Sequence, residues 1–236
     1  YYADRIVQLP LGVIGIALGT ALLPRLSALF RADDLAPVRQ TLADAMTFAS
    51  FFVLPASFAL VMIGPDIITG LFRYGAFSMA DAQASGVALA AYAIGLPGHF
   101  LVKILQPAFY ADHRPGLVLG VSVAMVATNI ILSLSLMPHF GHVGLALATS
   151  ISGLLAAVAL MAAALRAGYV GALPGAILVR ILACCGMMAA ALAGIDLVMP
   201  PVSGVLRMAV LVGAGGAAFL ITAFVLRAVP CQLIRG

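Results

Sequence analysis

Long apolar runs separated by short polar clusters organise the whole chain. Seven runs stand out, at residues 5–30, 45–64, 86–110, 117–137, 143–165, 176–199 and 204–228. Each is long enough to cross a bilayer as an α-helix, which takes about 20 apolar residues. None alternates apolar and polar positions in segments of about ten, as the strands of a membrane barrel would. The pattern predicts an all-α polytopic membrane helix bundle of seven transmembrane helices. Turn and charge signals fill the breaks: Arg31 through Arg39, Gly64-Pro65-Asp66, Arg73 through Asp81, Asp112 through Gly116, Pro138 through His142, Arg166 through Gly175, and Pro200-Pro201. Asp44 and Asp81 fall near the starts of the second and third spans, where a carboxylate suits the exposed N–H groups of a helix start.

The polar positions inside the spans are few and ordered. In the first span Arg5, Gln8, Gly12, Gly15 and Gly19 recur at steps of three and four, so they share one helix face opposite Ile6, Val13 and Ile16. Such a stripe fits a helix that lines a water-filled cavity, with Gly15 and Gly19 as a close-contact pair deeper down. Arg5 also lies near the helix end, where an arginine reaches the interface by snorkelling, so both readings stand. In the third span Tyr92, His99, Lys103, Gln106 and Tyr110 follow steps of seven, four, three and four, again one face. A lysine with His99 beside it suits an anionic head group; a structural lysine paired with a carbonyl or a loop aspartate is the alternative. His99 has no second ligand at metal-binding spacing, so no metal is expected. Ser122, Asn129 and Ser133, then Thr149, Ser150 and Ser152, read as interhelical hydrogen-bonding groups. Pro10, Pro24, Pro55, Pro97 and Pro107 interrupt spans one to three and allow bends. The last two spans are almost wholly apolar, with Thr222 as their main polar residue, and nothing in them could line an aqueous path.

Composition removes the soluble alternatives. The chain is 64% hydrophobic and 8% charged, with a mean hydropathy of +1.18, against about 25% charged in ordinary soluble domains. Its net charge of +4 arises from 12 Lys and Arg against 8 acidic residues. Arg25, Arg31, Arg39, Arg114, Arg166, Arg180, Arg227 and Arg235 fall on one side of the membrane, and Arg73 and Arg207 on the other. The positive-inside rule then makes the first side cytoplasmic and places residue 1 outside. Cys184, Cys185 and Cys231 have no zinc or CxxC spacing and read as apolar filler. The chain lacks an initiator Met and opens inside a helix-like stretch, which fits the back part of a longer protein. No intramembrane carboxylate pair, nucleophile set or phosphate loop is present, so neither an enzyme nor a cofactor is expected.

Tyr2-Ala3-Asp4-Arg5, Gln8-Leu9-Pro10, Gly12, Gly15, Ala17 through Thr20 and Leu23-Pro24 resemble the MurJ/MviN lipid II flippases of bacteria, within the MATE-like exporter superfamily. Leu71 through Phe77 and Tyr92 through Tyr110 support the likeness, which covers essentially the whole chain. The resemblance implies half of a two-lobe flippase, the eighth to fourteenth family helices. Residues 1–170 would supply core helices of the C-terminal lobe, and 171–236 a two-helix groove for the polyprenyl tail. It also implies that lipid II, an undecaprenyl-diphosphate-linked precursor, is the substrate and that the N-terminal lobe of the same protein is a partner. Alternating access in the bacterial inner membrane would drive transport. By resemblance Arg5 is the cavity arginine of this half, Asp4 its motif neighbour and Lys103 the lysine of the tenth helix. Some relatives have Glu where this chain has Gln8. Together with His99 and Gln106 these form the expected substrate-binding set. Rival readings are a flippase for another polyprenyl-linked oligosaccharide, a drug exporter of the same fold, or a non-transporting membrane scaffold.

Overall fold

A computed structural model describes residues 2–32, 34–72, 79–171, 175–198 and 204–228, apart from the side chains at 2, 13, 14 and 16–18. The expected Arg73 through Phe77 motif, Pro200-Pro201, Cys231 and Arg235 lie outside the described residues. The described chain is all-helical: α1 (Tyr2–Arg31), α2 (Leu35–Phe72), α3 (Met79–Ala111), α4 (Pro115–Phe140), α5 (His142–Arg166), α6 (Gly175–Val198) and α7 (Gly204–Val225). By length and composition α2 to α7 can each cross a membrane. The 30 residues of α1 span about 45 Å at 1.5 Å each. Successive helices run in opposite directions. One end of the bundle, the N-terminal end, therefore holds the start of α1 and the α4–α5 turn, and the other holds the α1–α2 turn.

Three local expectations are corrected. Gly64-Pro65-Asp66 is no connector, because α2 continues to Phe72 and leaves helical geometry only at Ile63 (φ −112°, ψ 17°). Pro65 has no N–H to donate and its ring crowds the carbonyl four residues back, so the helix bends there without ending. The cap of α2 is Asp34, whose carboxylate accepts from the Ala36 N–H at 2.9 Å. Asp44 lies in the third turn of α2 and accepts from the Gln40 amide at 2.9 Å. Pro138-His139-Phe140 form the last turn of α4. The chain reverses at Gly141 alone, whose φ of 55° glycine adopts without steric cost.

The apolar side chains form two clusters. The larger joins α1 to α5 through fully buried residues such as Leu26, Leu42, Leu89, Phe100 and Leu160. Its axis is α3, packed against α1, α2 and α5. Small residues let α3 and α5 close up: Gly95 faces Ser150, whose hydroxyl donates to the Ala91 carbonyl at 2.6 Å. The smaller cluster joins Ile181, Cys184, Cys185 and Leu192 of α6 with Leu211 and Phe219 of α7, and with Phe51 and Ile63 of α2. Both cysteines are buried and free. Helix α4 rests mainly on α5, where Asn129 donates to Thr149 at 3.2 Å and to Ser152 at 3.4 Å.

The end opposite the N-terminus is pinned by Tyr169. Its ring meets Phe30 and Phe109 edge-on at 5.2 and 5.3 Å, and its hydroxyl donates to Asp112. Asp112 also pairs with Arg114 at 2.7 Å, and Arg39 donates to the Gly168 carbonyl at 2.7 Å. The ends of α1, α2, α3 and α5 are thereby tied together. Burial first, and the Asp112 carboxylate second, push the Tyr169 hydroxyl well above the ordinary tyrosine range.

Candidate functional site

Helix α1 carries two kinds of surface side by side. On one face Asp4, Arg5 and Gln8 are linked: the Gln8 amide donates to Asp4 at 2.6 Å, and Arg5 Nη1 reaches the Gln8 carbonyl oxygen at 3.4 Å. Arg5 and Gln8 are exposed and Asp4 half-buried. The Gln8 amide thus spans a cation and a carboxylate. Its oxygen faces the guanidinium and its NH₂ faces Asp4, so it fixes both without adding charge.

A turn away on the same helix, Ile6, Leu9 and Pro10 face an apolar groove. Phe51, Pro55 and Ile63 of α2 form its floor, and Leu211, Gly215 and Phe219 of α7 its far wall. The groove encloses about 490 Å³. Its walls offer contact to a chain of CH₂ or isoprenoid units and almost no hydrogen bonds.

Helices α1 and α3 run parallel, and their polar stripes meet in register. Tyr92 lies close enough to feel the Asp4 charge. Eleven residues further along both helices, the Lys103 stem lies across Gly15: a Cβ there would stand 2.9 Å from Lys103 Cδ and 3.4 Å from Nζ. Gly15 is therefore the groove in which the lysine lies. Among the described residues nothing comes within 4 Å of a Cβ built at Gly19, so of the expected close-contact pair only Gly15 meets another helix. One turn before Lys103, the half-buried His99 ring covers Gly153 of α5, at 2.5 to 2.9 Å from a Cβ there, and is turned toward the Thr149 carbonyl. Lys103 is exposed and Gln106 half-buried.

The structure gathers Asp4, Arg5, Gln8 and Tyr92 at one level, and His99 and Lys103 at another. Ten residues of α1 separate Arg5 from Gly15, about 15 Å along the axis. The two cations therefore stand at different levels of the bundle. They stand as two stations on a single polar track, with the apolar groove beside the first.

Sequence reasoning did not find Gly153 as the seat of His99, nor the ion-paired group of Asp66, Asp196 and Arg207 at the N-terminal end. Arg207 donates to Asp66 at 2.6 Å and to Asp196, drawing α2, α6 and α7 together. In the sequence these three residues are dispersed, and only contact across helices reveals them.

Comparison with known proteins matches this architecture. The family model described as lipid II flippase MurJ matches residues 1–212. A probable lipid II flippase MurJ of Rhizobium tropici is 38% identical over 168 residues, 71% of this chain and 32% of that protein. Its counterpart in Rhizobium meliloti is 39% identical over 173 residues, 72% of this chain and 32% of its own. The lipid II flippase MurJ of Burkholderia cenocepacia is 30% identical over 74% of this chain and 34% of its own. The matched stretch thus spans about a third of the length of these relatives. In fold, the chain is similar to a structure of lipid II flippase MurJ in an inward closed conformation. The TM-score is 0.81 at 23% identity, covering 96% of this chain and 46% of that one. On the family match and these identities together, the chain belongs to the lipid II flippase MurJ family.

Proposed function

We propose that this chain forms part of a flippase that moves lipid II from the inner to the outer leaflet of the bacterial inner membrane. The observation that carries the proposal is the pairing on α1 of a head-group face, Asp4-Arg5-Gln8, with the wall of an apolar groove. A lipid-linked diphosphate has the same two parts. Arg5 presents a planar fork to the diphosphate oxygens, and a partly dry cavity strengthens that charge-assisted contact. Asp4 and Gln8 hold the fork in place, and the polyprenyl tail stays in the groove between α1, α2 and the α6–α7 hairpin.

Lys103 is the second station, about 15 Å along α1 from Arg5, with His99 and Gln106 beside it. A head group released from one cation can be taken up by the other, so neither must hold it tightly for the whole transit. The N-terminal lobe of the full-length protein supplies the opposite wall, and rocking of one lobe against the other exposes the track alternately to each side. In this reading residues 1–170 are core helices of the lobe and 171–236 the tail-binding segment. The N-terminal end is periplasmic and the Tyr169 end cytoplasmic, in keeping with the arginine count.

The test is binding of lipid II to the purified full-length protein with Lys103→Met or Arg5→Ala. A charge-assisted hydrogen bond contributes about 1.5–3 kcal/mol, so each variant should weaken binding roughly ten- to a hundredfold. Unchanged affinity in both variants would overturn the head-group assignment.

A further inference from the structure

Helix α2 is two helical pieces joined at one non-helical residue. Residues on either side of Ile63 are helical, Ile63 is not, and Pro65 removes a backbone hydrogen bond just beyond it. The piece beyond the joint, running to Phe72, carries Ile67, which with Ile63 lines the apolar groove. Its direction therefore sets how wide the groove is at the N-terminal end.

Several contacts hold that piece, and they converge on the first turn of α7. Arg207 donates Nε to Asp66 at 2.6 Å and a terminal nitrogen to Asp196 of α6. A Cβ on Gly70 would stand 2.8 Å from Met208 Cβ, so only glycine permits this approach. Gly204 also lies close to Thr69, whose methyl would be 3.2 Å from an added Cβ. On the other side Gly86 of α3 abuts Pro65, at 2.4 Å from an added Cβ to the proline Cα. Arg207 and Asp66 are each about three-quarters shielded, at 27% and 25% side-chain exposure, while Asp196 is open at 59%. One guanidinium addresses carboxylates on two different helices through different nitrogens, which the point charge of a lysine does less well.

We infer that Arg207 is a positioning residue for the lipid tail: an ion-paired strap that seats the outer piece of α2 on the α6–α7 hairpin and so fixes the width of the apolar groove. Its ion-pair partners, Asp66 and Asp196, lie outside the head-group stripe. The inference rests on the tail-groove reading only for its consequence, not for the strap itself.

The experiment uses full-length protein with Cys184, Cys185 and Cys231 replaced by alanine, carrying Thr69→Cys and Gly204→Cys as a disulfide reporter. A Cβ added at Gly204 stands 3.2 Å from the Thr69 methyl carbon, which makes the pair a reporter of proximity. Added Arg207→Met should slow oxidative cross-linking several-fold, with Arg207→Lys intermediate. The exchanged pair Asp66→Arg with Arg207→Asp, combined with Asp196→Asn so that the new aspartate meets no like charge, should recover the rate, which separates a lost strap from a damaged fold. In parallel, a long-chain polyprenyl diphosphate with a photoreactive tail should label α7 several-fold less in Arg207→Met. A short-chain analogue should bind Arg207→Met and the parent equally. Equal cross-linking rates with and without Arg207 would overturn the strap. Slowed cross-linking in a protein whose α7 the tail probe never labels would keep the strap and refute the tail groove instead.

Discussion

At the scale of single residues, the glycines under the polar side chains decide the site as much as those side chains do. Gly15 gives the Lys103 stem its bed, so Gly15→Val should displace the amine and weaken lipid II binding about as much as Lys103→Met, with little change in melting temperature. Gly12, where no described atom comes within 4 Å of an added Cβ, should accept alanine with no such loss. Titration of the detergent-solubilised full-length protein supplies the affinities. Tyr169 makes a second residue-scale prediction. Its folded-state hydroxyl is held above the unfolded value near 10. The stabilisation from its protonated form is therefore complete below that pH and is lost as pH rises toward the folded value. Wild type should lose stability on alkalinisation beyond about pH 10, with a slope that Tyr169→Phe lacks. Near neutrality Tyr169→Phe should cost about 1 kcal/mol, the usual net value of one hydrogen bond. Thermal unfolding across pH measures both. The stripes of Arg5 and Lys103 were legible in the sequence, because spacing of three and four defines a helix face. That Lys103 would meet Gly15 and His99 would meet Gly153 was not legible, since the offset between two helices is set by packing along their whole length.

At the scale of elements, α3 on α5 is a close seam. A methyl added at Gly95 would stand 2.5 Å from Ser150 Cα, and backbone cannot yield as a side-chain tip can. Gly95→Ala should lower stability by about 1–3 kcal/mol, the usual cost of overpacking, read as a fall in melting temperature of the full-length protein. The number and type of helices followed from the sequence because seven apolar runs admit few other solutions in a bilayer. Helix ends were less legible. Gly64-Pro65-Asp66 carries every mark of a turn, yet packing of Pro65 on Gly86 and of Gly70 on Met208 keeps α2 going to Phe72. Asp44 looked like a cap because it precedes the apolar run, but the polar stretch before it is itself helical and is capped by Asp34. An amphipathic first turn outside the apolar core escapes a search for hydrophobic runs.

At the scale of the whole molecule, two apolar clusters meet along α2: Val53 belongs to the larger, and Phe51 and Ile63 to the smaller. The α1–α5 unit carries the polar track and is clamped at one end by Tyr169. The α6–α7 hairpin completes the groove at the other. The arginine distribution is the basis of the proposed orientation, which is open to a direct check. A membrane-impermeant thiol reagent should label Met79→Cys in cells with a permeabilised outer membrane. It should label Asp34→Cys only after the inner membrane is broken, and the reverse pattern would invert the topology. The central claim is that Arg5 holds the diphosphate head group. It is tested most directly by placing Arg5→Ala and Arg5→Lys in the full-length gene, in cells depleted of their own flippase. Outer-leaflet lipid II is then measured beside the amount of inserted protein. The account predicts that Arg5→Ala inserts at normal levels and abolishes flipping, while Arg5→Lys, with charge but no fork, restores only a fraction. Normal flipping by Arg5→Ala would make Arg5 an interfacial anchor and contradict the mechanism.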